Sequence, residues 1–393
     1  MKKKLSLLVL ACGFTLSSAN LWGQVVDIDK DTSLGNVKPV WVSLSGITGE
    51  AAQVIQFDLY VQGFAFTNAE AAQYQISGSA NGNLQARVSD RFNKSSLVAK
   101  AYSGASLRRQ AHVFVDDFVQ AIGRKGIAQT KLAFKGKTGK GSEIFLADFD
   151  GFNPVAVTKD ASLVAAPCMI PGRLGMYYVS YKLNHADIFY QDLSSGSRKV
   201  FAKYGGSNLS PAVSPDGRKV AMVLSKDGWP DLYVCDSDGS GLVRLTKSIE
   251  DESSPCWSPD GKWICFAAKQ TNQRRILCKI PSSGGAMQRI PTDGVSSPTE
   301  PDWSPDGKLI AFTSQFYRSF QICVVPAEGG TAIPLTEGED PSWASNSRTL
   351  AFARRDGGAG DYVLSLLDVP TKQYKDVSRI SGSNSQSQPS WAR

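Results

Sequence analysis

Histidine is scarce in this chain, and the sequence patterns of hydrolytic and metal-dependent enzymes are missing. The 393 residues include two histidines, His112 and His185. A serine hydrolase needs a histidine base beside its nucleophile, and no GxSxG elbow is present. There is also no HExxH motif, EF-hand loop or CxxC pair. The residues therefore predict no catalytic group, no metal site and no cofactor, and we expect the protein not to be an enzyme.

Strong net charge and long apolar runs are missing as well. The formal charge is +7, but the first 19 residues hold three lysines and no acid, so 40 basic and 36 acidic residues remain. This balance argues against nucleic acid as a partner. Beyond those 19 residues no stretch has the 18 or more apolar residues of a spanning helix, which predicts no direct membrane insertion.

The first 36 residues have the pattern of an export signal followed by a polar segment. Three lysines, an apolar run from Leu5 to Leu16 and small residues up to Ala19 predict a signal peptide over residues 1–19. Cleavage after Ala19 and cleavage as late as Gly23 are both open. Residues 24–36 are polar and acidic with no strong period, which predicts a mobile N-terminal arm.

Six cysteines follow the signal peptide, all at apolar positions of predicted strands. Such cysteines are more often buried small hydrophobic residues than disulfides. Cys265 and Cys278 fall on neighbouring predicted strands and are the best disulfide candidate.

What the chain does contain is a repeat. A Ser-Pro-Asp-Gly motif (SPDG) occurs three times, at intervals of 44 and 46 residues and with apolar residues on both sides. Its copies are Ser214-Pro215-Asp216-Gly217, Ser258-Pro259-Asp260-Gly261 and Ser304-Pro305-Asp306-Gly307. Proline, aspartate and glycine in this order favour a tight hairpin turn. Four short apolar runs per period are typical of a propeller blade.

The proline that opens each first strand reveals the degenerate copies. It recurs six times, at Pro167, Pro211, Pro255, Pro301, Pro341 and Pro389. The chain enters the array at Lys131 on a second strand, and its last segment, Ser387 to Trp391, reads as an unpaired first strand. The sequence therefore predicts a six-bladed all-β propeller over residues 127–393, closed by the C-terminal strand.

A small α/β domain is predicted before the propeller, over residues 37–126. Strand-like runs lie at Pro39 to Leu44, Gln73 to Ser77, Leu84 to Val88 and Ser96 to Tyr102, and helical patterns at Glu50 to Tyr60 and Leu107 to Ile122. Ser106 is a good cap for the second helix and Gly123 a good stop.

The loops before the first strands are the candidate functional surface, because they surround one end of the central channel. The candidate residues in them are Ser207, Asn208, Ser210, Asp251, Glu252, Ser253, Thr299, Glu300, Glu339 and Asp340. Acids from three successive blades, Glu250 among them, predict a negative rim that attracts a basic partner. The alternative is that these are only solvated loops. The repeated tryptophans are interpreted as core residues and not as a sugar-binding stripe.

This combination of elements resembles the TolB family of the Tol-Pal system of Gram-negative bacteria. The resemblance covers the signal peptide, the acidic arm, the helix with Leu107-Arg108-Arg109-Gln110-Ala111-His112, and the propeller ending in Pro389-Ser390-Trp391. It implies a monomeric, non-enzymatic periplasmic scaffold for outer-membrane integrity and cell division. The implied partners are the Pal lipoprotein at the channel face and a TolA-like inner-membrane protein at the arm, through Val25, Val26, Asp27, Ile28 and Asp29. A propeller hydrolase or a glycan-binding module is the alternative.

Overall fold

The computed structural model describes residues 36–393 except 140, 248–250, 271–273, 317–318, 357–360, 378–382 and 384. The predicted signal peptide and the arm residues Val25 to Asp29 lie outside the described residues. Within the described part, neither helix is long and apolar enough to cross a lipid bilayer.

The N-terminal region is a five-stranded mixed sheet with two helices. Its elements are β1 (Val40–Ser45), α1 (Gly49–Tyr60), β2 (Phe64–Phe66), β3 (Tyr74–Asn81), β4 (Asn83–Asp90), β5 (Ser95–Tyr102) and α2 (Leu107–Ala121). The strand order is β2-β1-β3-β4-β5, with β1 parallel to both of its neighbours. The Ser106 hydroxyl accepts a hydrogen bond from the Arg109 amide, as expected of a helix cap. Only β2, three residues long, was not predicted, because so short a run shows no alternation.

Six four-stranded antiparallel sheets follow among the described residues, and they form the blades of a propeller. Blade 2 comprises β9 (Val164–Met169), β10 (Gly175–Ser180), β11 (Asp187–Asp192) and β12 (Arg198–Ala202). Blade 3 comprises β13 (Asn208–Val213), β14 (Lys219–Leu224), β15 (Asp231–Asp236) and β16 (Val243–Arg244). Blade 4 comprises β17 (Glu252–Trp257), β18 (Trp263–Lys269), β19 (Arg275–Pro281) and β20 (Gln288–Ile290).

Blades 5, 6 and 1 complete the ring. Blade 5 comprises β22 (Pro298–Trp303), β23 (Leu309–Phe316), β24 (Ser319–Pro326) and β26 (Ile333–Glu337). Blade 6 comprises β27 (Glu339–Trp343), β28 (Thr349–Arg355), β29 (Tyr362–Asp368) and β30 (Gln373–Asp376). Blade 1 comprises β31 (Gln386–Trp391), β6 (Lys131–Thr138), β7 (Gly141–Asp148) and β8 (Val155–Ala156). The pair β21 (Thr292–Asp293) and β25 (Gly330–Thr331) links blades 4 and 5. The C-terminal β31 is antiparallel to β6, so the last strand of the chain is the innermost strand of the first blade. The predicted fold class, an α/β region followed by a six-bladed propeller, is confirmed.

Each SPDG motif forms a turn that is stabilised by hydrogen bonds of its own side chains. In the first motif the Ser214 hydroxyl donates to Asp216 at 2.6 Å and accepts the Lys219 amide at 2.9 Å, while Gly217 has φ 71°. The other two motifs make the same two hydrogen bonds. Proline, aspartate and glycine predicted the turn, and the serine closes it.

The six described cysteines are free and five are buried, as the favoured interpretation expected, and the candidate pair Cys265 and Cys278 is not a disulfide. Cys265 lies opposite Lys279 in the β18/β19 ladder, and Cys278 lies opposite Phe266, so the two thiols are on opposite faces of the sheet. Side chains alternate between faces along a strand, and neighbouring predicted strands alone do not bring them together. The cysteine that directly faces Cys265 is Cys256 on β17, and both are free thiols.

The N-terminal region packs against blades 1 and 6 and shares one apolar core with them. Phe118 of α2 and Leu59 of α1 belong to the same buried cluster as Phe149 of blade 1 and Leu366 of blade 6. Hydrogen bonds also cross this contact, including that from the Thr349 hydroxyl to the Val61 carbonyl at 3.2 Å.

Candidate functional site at the channel mouth

A repeated backbone distortion shapes the wall of the central channel. In every blade the residue just before the first-strand proline has a left-handed backbone, with φ between 48° and 57°. These residues are Ala166, Ser210, Ser254, Glu300, Asp340 and Gln388. The ladder to the second strand slips one register there, as in a β-bulge. All six residues line a channel cavity of about 490 Å³. Left-handed non-glycine residues are rare and often lie at functional sites.

Half of this ring is polar and is bonded from blade to blade. Glu300 accepts a hydrogen bond from the Asp340 amide at 3.2 Å, and Asp340 accepts one from the Gln388 amide at 3.0 Å. The Gln388 side chain in turn accepts the Ala166 amide at 2.9 Å. Each of these large side chains thus accepts a hydrogen bond from the amide of the left-handed residue in the next blade. Blades 2, 3 and 4 have only alanine or serine at this position.

Charges in the polar half are crowded. Glu300 also accepts the Thr313 hydroxyl at 2.7 Å. Desolvation in the channel wall, and then the nearby Glu300 and Glu339 carboxylates, raise the pKa of Asp340 well above its ordinary value. Desolvation and the Glu300 charge also raise the pKa of Glu339. These carboxyls therefore take up protons at higher pH than isolated ones would, and less negative charge stands at the mouth than their number suggests.

A second ring of contacts lies deeper in the channel, two residues further along the inner strands. Asp302 accepts the Trp343 amide at 2.7 Å, and Ser342 accepts the Trp391 amide at 3.1 Å. The C-terminal Arg393 forms an ion pair with Asp302 and donates to the Trp343 carbonyl at 3.0 Å. The repeated tryptophans are buried between blades, so they present no exposed sugar-binding stripe.

The structure sorts the sequence-predicted site residues into three groups. Half-buried residues at the mouth are Ser207, Asp251, Ser253, Thr299 and Glu339. Residues of the channel wall are Ser210, Glu300 and Asp340. Asn208 and Glu252 are buried, and Glu250 lies outside the described residues.

Asn208 and Glu252 correct the picture of an exposed candidate surface. The Asn208 amide donates to the Ala186 and Tyr204 carbonyls at 3.1 and 3.0 Å, and Glu252 accepts the Thr246 hydroxyl at 2.8 Å. Both begin an inner strand, and in the period-2 pattern their side chains point under the loops and not out of them. They support the mouth without being able to touch a partner.

Neither histidine lies on the channel wall as the structure describes it. His185 is exposed in the β10–β11 turn. His112 is buried where α2 meets blade 1, with Nδ1 2.7 Å from Asp58 and Nε2 3.5 Å from Asp150. The three are close enough to be considered as metal ligands. However, the two carboxylates lie at opposite ring nitrogens and Asp150 also pairs with Arg108, so the arrangement fits an ion-pair chain better than a metal centre.

Sequence reasoning missed several residues that shape this end of the molecule. Thr313 and Arg393 lie outside the loops in sequence, and only the fold brings them to Glu300 and Asp302. Gln388 precedes Pro389 just as Glu300 precedes Pro301, so the repeat could have revealed it. Trp229 and Tyr181 are exposed at the mouth, in the β14–β15 and β10–β11 turns. Two large exposed aromatic residues in turns were a signal that could have been noticed.

The chain is similar to TolB proteins in sequence and in fold. It is 29% identical over 186 residues to the Tol-Pal system protein TolB of Desulfosudis oleivorans, covering 45% of this chain and 42% of the relative. It is 30% identical over 175 residues to the protein TolB homolog of Chlorobium chlorochromatii, covering 44% and 39%. These alignments thus span about two fifths of the length of the curated relatives.

One solved structure has the same fold over nearly its whole length. The crystal structure of TolB from Acinetobacter baumannii superposes with a TM-score of 0.80 and 21% identity, covering 92% of this chain and 98% of that one. The family model of the TolB beta propeller domain matches residues 118–393. Because that match covers well over half of the sequence, this chain belongs to the TolB beta propeller domain family.

Proposed function

We propose that the protein is a non-enzymatic periplasmic scaffold of the Tol-Pal system, which binds Pal at the channel mouth and an inner-membrane Tol protein through its N-terminal arm. In this role it supports outer-membrane integrity and invagination during division. Residues 1–19 direct export, residues 24–36 form the arm, and residues 37–126 and 127–393 are the two folded domains. The names of the relatives above support the system, and the signal-peptide pattern supports the compartment.

The observation that carries this proposal is how the polar groups of the channel are used. Glu300, Asp340 and Gln388 accept hydrogen bonds from backbone amides of the next blade. Asp302 is paired with Arg393. A catalytic site needs a base within reach of a nucleophile and a free polar group for the substrate. These side chains instead hold blades together, which suits a rigid binding platform.

Pal would bind on the loops around the mouth. Ser207, Asp251, Ser253, Thr299 and Glu339 are the candidates that are partly exposed there. Ser207 directly precedes β13 and Ser253 is the second residue of β17. Both are small and half-buried, so we assign them to shape complementarity. Ser210, Glu300 and Asp340 would form the floor of the site.

Binding of a soluble Pal domain, without its lipid anchor, to the mature chain tests the proposal. Ser207→Trp and Ser253→Trp should each speed dissociation about tenfold by adding bulk to a close-packed contact. Ser240→Trp is the matched control, since Ser240 is exposed in the β15–β16 turn at the other end of the propeller. Absence of Pal binding by the wild type, or turnover of a glycan or peptide ester, would contradict the scaffold role.

The arm is tested separately. Deleting residues 24–36 should abolish binding of the periplasmic domain of a TolA-like protein while leaving the melting temperature within about 2 °C, because a polar segment buries little apolar surface. If TolA binding persists after the deletion, the arm is only a linker.

A further inference from the structure

Three acids at the mouth end of blades 2 to 4 are buried. Asp160 is buried, accepts the Ser180 hydroxyl at 2.6 Å and pairs with Arg198. Asp231 is buried in the next blade and pairs with Arg244. With Glu252 on the Thr246 hydroxyl, three acids of this end are thus held by donors of the protein itself. Acids satisfied in this way contribute little to the field that an approaching molecule meets.

Lysines take the outward positions, and they repeat with the blades. Lys159, Lys203 and Lys247 are 44 residues apart, each exposed in the loop that enters blade 2, 3 or 4. Lys182 and Lys226, also 44 apart and exposed, follow the second strands of blades 2 and 3. We name Lys159, Lys182, Lys203, Lys226, Lys247 and Arg274 the basic arc.

Three members of the basic arc have no carboxylate close by in the part of the chain that the structure describes. Among the described residues, no carboxylate lies within 4.0 Å of Lys159, Lys203 or Lys247. Lys182 is 3.9 Å from the buried Asp160, and Lys226 is 3.0 Å from Asp227. The acids that the structure describes as partly exposed in these loops are Asp227, with 39% of its side chain exposed, and Asp251, with 34%. Among the described residues, cations therefore outnumber exposed acids in the outer layer of the mouth over blades 2 to 4. The acids from which the sequence predicted a negative rim belong to blades 4, 5 and 6.

Two exposed aromatic side chains lie within the basic arc. Trp229 is 52% exposed and Tyr181 is 38% exposed. Trp229 lies 44 residues after His185, so the two occupy equivalent turns of blades 3 and 2. Tryptophan, tyrosine and arginine are the residues most enriched at the energetic centre of protein interfaces.

We propose that the basic arc docks a carboxylate-rich surface of a protein partner, with Trp229 and Tyr181 as its apolar anchors. This inference rests on the proposed function, in which a protein binds at the mouth, and it assigns the charge of that partner. The lysines raise the rate of encounter with an acidic surface, and the aromatic side chains slow its departure. Because exposed charges are screened beyond about 8 Å at physiological salt, association should weaken as salt is added.

An acidic protein fits this surface better than an anionic bilayer. Attachment to a membrane interface needs a broad apolar face that enters the lipid. Here the two aromatic side chains stand in separate blades beside a recessed channel of about 490 Å³. A bilayer cannot follow that recess, whereas a protein loop can.

The test compares two triple variants that change the same number of charges. Lys159→Glu/Lys203→Glu/Lys247→Glu alters the basic arc. Lys219→Glu/Lys262→Glu/Lys308→Glu alters lysines beside the SPDG turns, at the opposite end of the propeller. With soluble Pal at low salt, the arc variant should associate about tenfold more slowly and lose its salt dependence, and the control should stay within about twofold. Trp229→Ala should speed dissociation about tenfold.

The outcomes separate this inference from the proposed function. If Pal binds the wild type but the two triple variants behave alike, the basic arc is wrong and the scaffold role stands. If Pal does not bind at all, the scaffold role fails, and the arc is tested with a polyglutamate peptide and with vesicles containing phosphatidylglycerol. Peptide binding that only the arc variant loses supports the inference. Binding to the vesicles alone, or to neither probe, overturns it.

Discussion

A single position decides the chemistry of each blade's share of the channel wall. The residue before the inner-strand proline is left-handed in all six blades, so its side chain is aimed into the channel whatever its type. Alanine or serine there leaves the wall open, while Glu300, Asp340 and Gln388 bridge to the next blade. The left-handed backbone thus recurs in every blade, whereas the hydrogen bond to the next blade depends on which side chain stands at this position.

Asp340 predicts an unusual dependence of stability on pH. Its pKa is raised well above its ordinary value by desolvation and by Glu300. Between the ordinary and the raised pKa the folded protein binds more protons than the unfolded chain, so the free energy of unfolding falls as pH rises through that window. Asp340→Asn can still accept the Gln388 amide and cannot ionise. We expect it to match the wild type at pH 4 and to be more stable by about 1 kcal/mol at pH 8 in urea unfolding.

Asp260 provides the control of opposite sign. Hydrogen bonds from the Ser258 hydroxyl and the Lys262 amide lower its pKa, so it stabilises the fold above its ordinary pKa and loses that effect on acidification. Asp260→Asn should therefore be less stable than the wild type at pH 8 and equal to it at low pH. If Asp340→Asn lost stability in parallel with the wild type from pH 4 to 8, ionisation of Asp340 would not be the cause of that loss.

At the scale of elements, the repeat made the propeller predictable. The SPDG turns and the inner-strand prolines fix where strands begin, and short hairpins make neighbours in sequence into neighbours in space. The same pattern could not show burial at strand ends. Asn208 and Glu252 read as loop residues in sequence, but each begins an inner strand and points beneath the loops. Side chains brought in by the ring, such as Arg393 beside Asp302, have no local signal.

The closing strand β31 gives the prediction at this scale. It pairs with β6, and its Trp391 donates a hydrogen bond to the Thr130 hydroxyl at 2.7 Å. Deleting residues 386–393 would expose the edge of β6 and remove a buried tryptophan. We expect the melting temperature to fall by about 10 °C or more, measured by circular dichroism. Adding a peptide of residues 383–393 should restore part of the loss, and a melt unaffected by the deletion would rule out closure by β31.

At the scale of the whole molecule, the contact between the N-terminal region and the propeller includes a buried chain of charges. Asp58 of α1, His112 of α2 and Asp150 of blade 1 follow one another, and Arg108 pairs with Asp150. All are buried or nearly so. Arg108 offsets one of the two carboxylates, so one further proton, on His112 or on Asp58, keeps the contact electrically balanced.

Protonation of His112 affects the stability of the contact between the N-terminal region and the propeller. Burial disfavours the imidazolium, but the hydrogen bond that His112 donates to Asp58 and the charges of Asp58 and Asp150 outweigh burial and raise the pKa of His112. Burial also raises the pKa of Asp58 to about 7, although His112 opposes this. A histidine with a raised folded pKa gives its full stabilisation below the unfolded value of 6.5 and loses it as pH rises through the folded value.

His112→Gln should therefore remove the histidine's share of the pH dependence of stability and leave the share that the buried Asp58 carboxyl contributes. Glutamine can donate one hydrogen bond to Asp58 but cannot carry the charge, so we expect a loss of about 3 kcal/mol at pH 6 and a smaller loss at pH 8.5. Calorimetric unfolding at several pH values measures both. His185→Gln changes the other histidine, which is exposed beside Asp187, and should keep the wild-type slope. Equal slopes for the wild type and His112→Gln would show that the histidine contributes nothing to the pH dependence and that Asp58 supplies it.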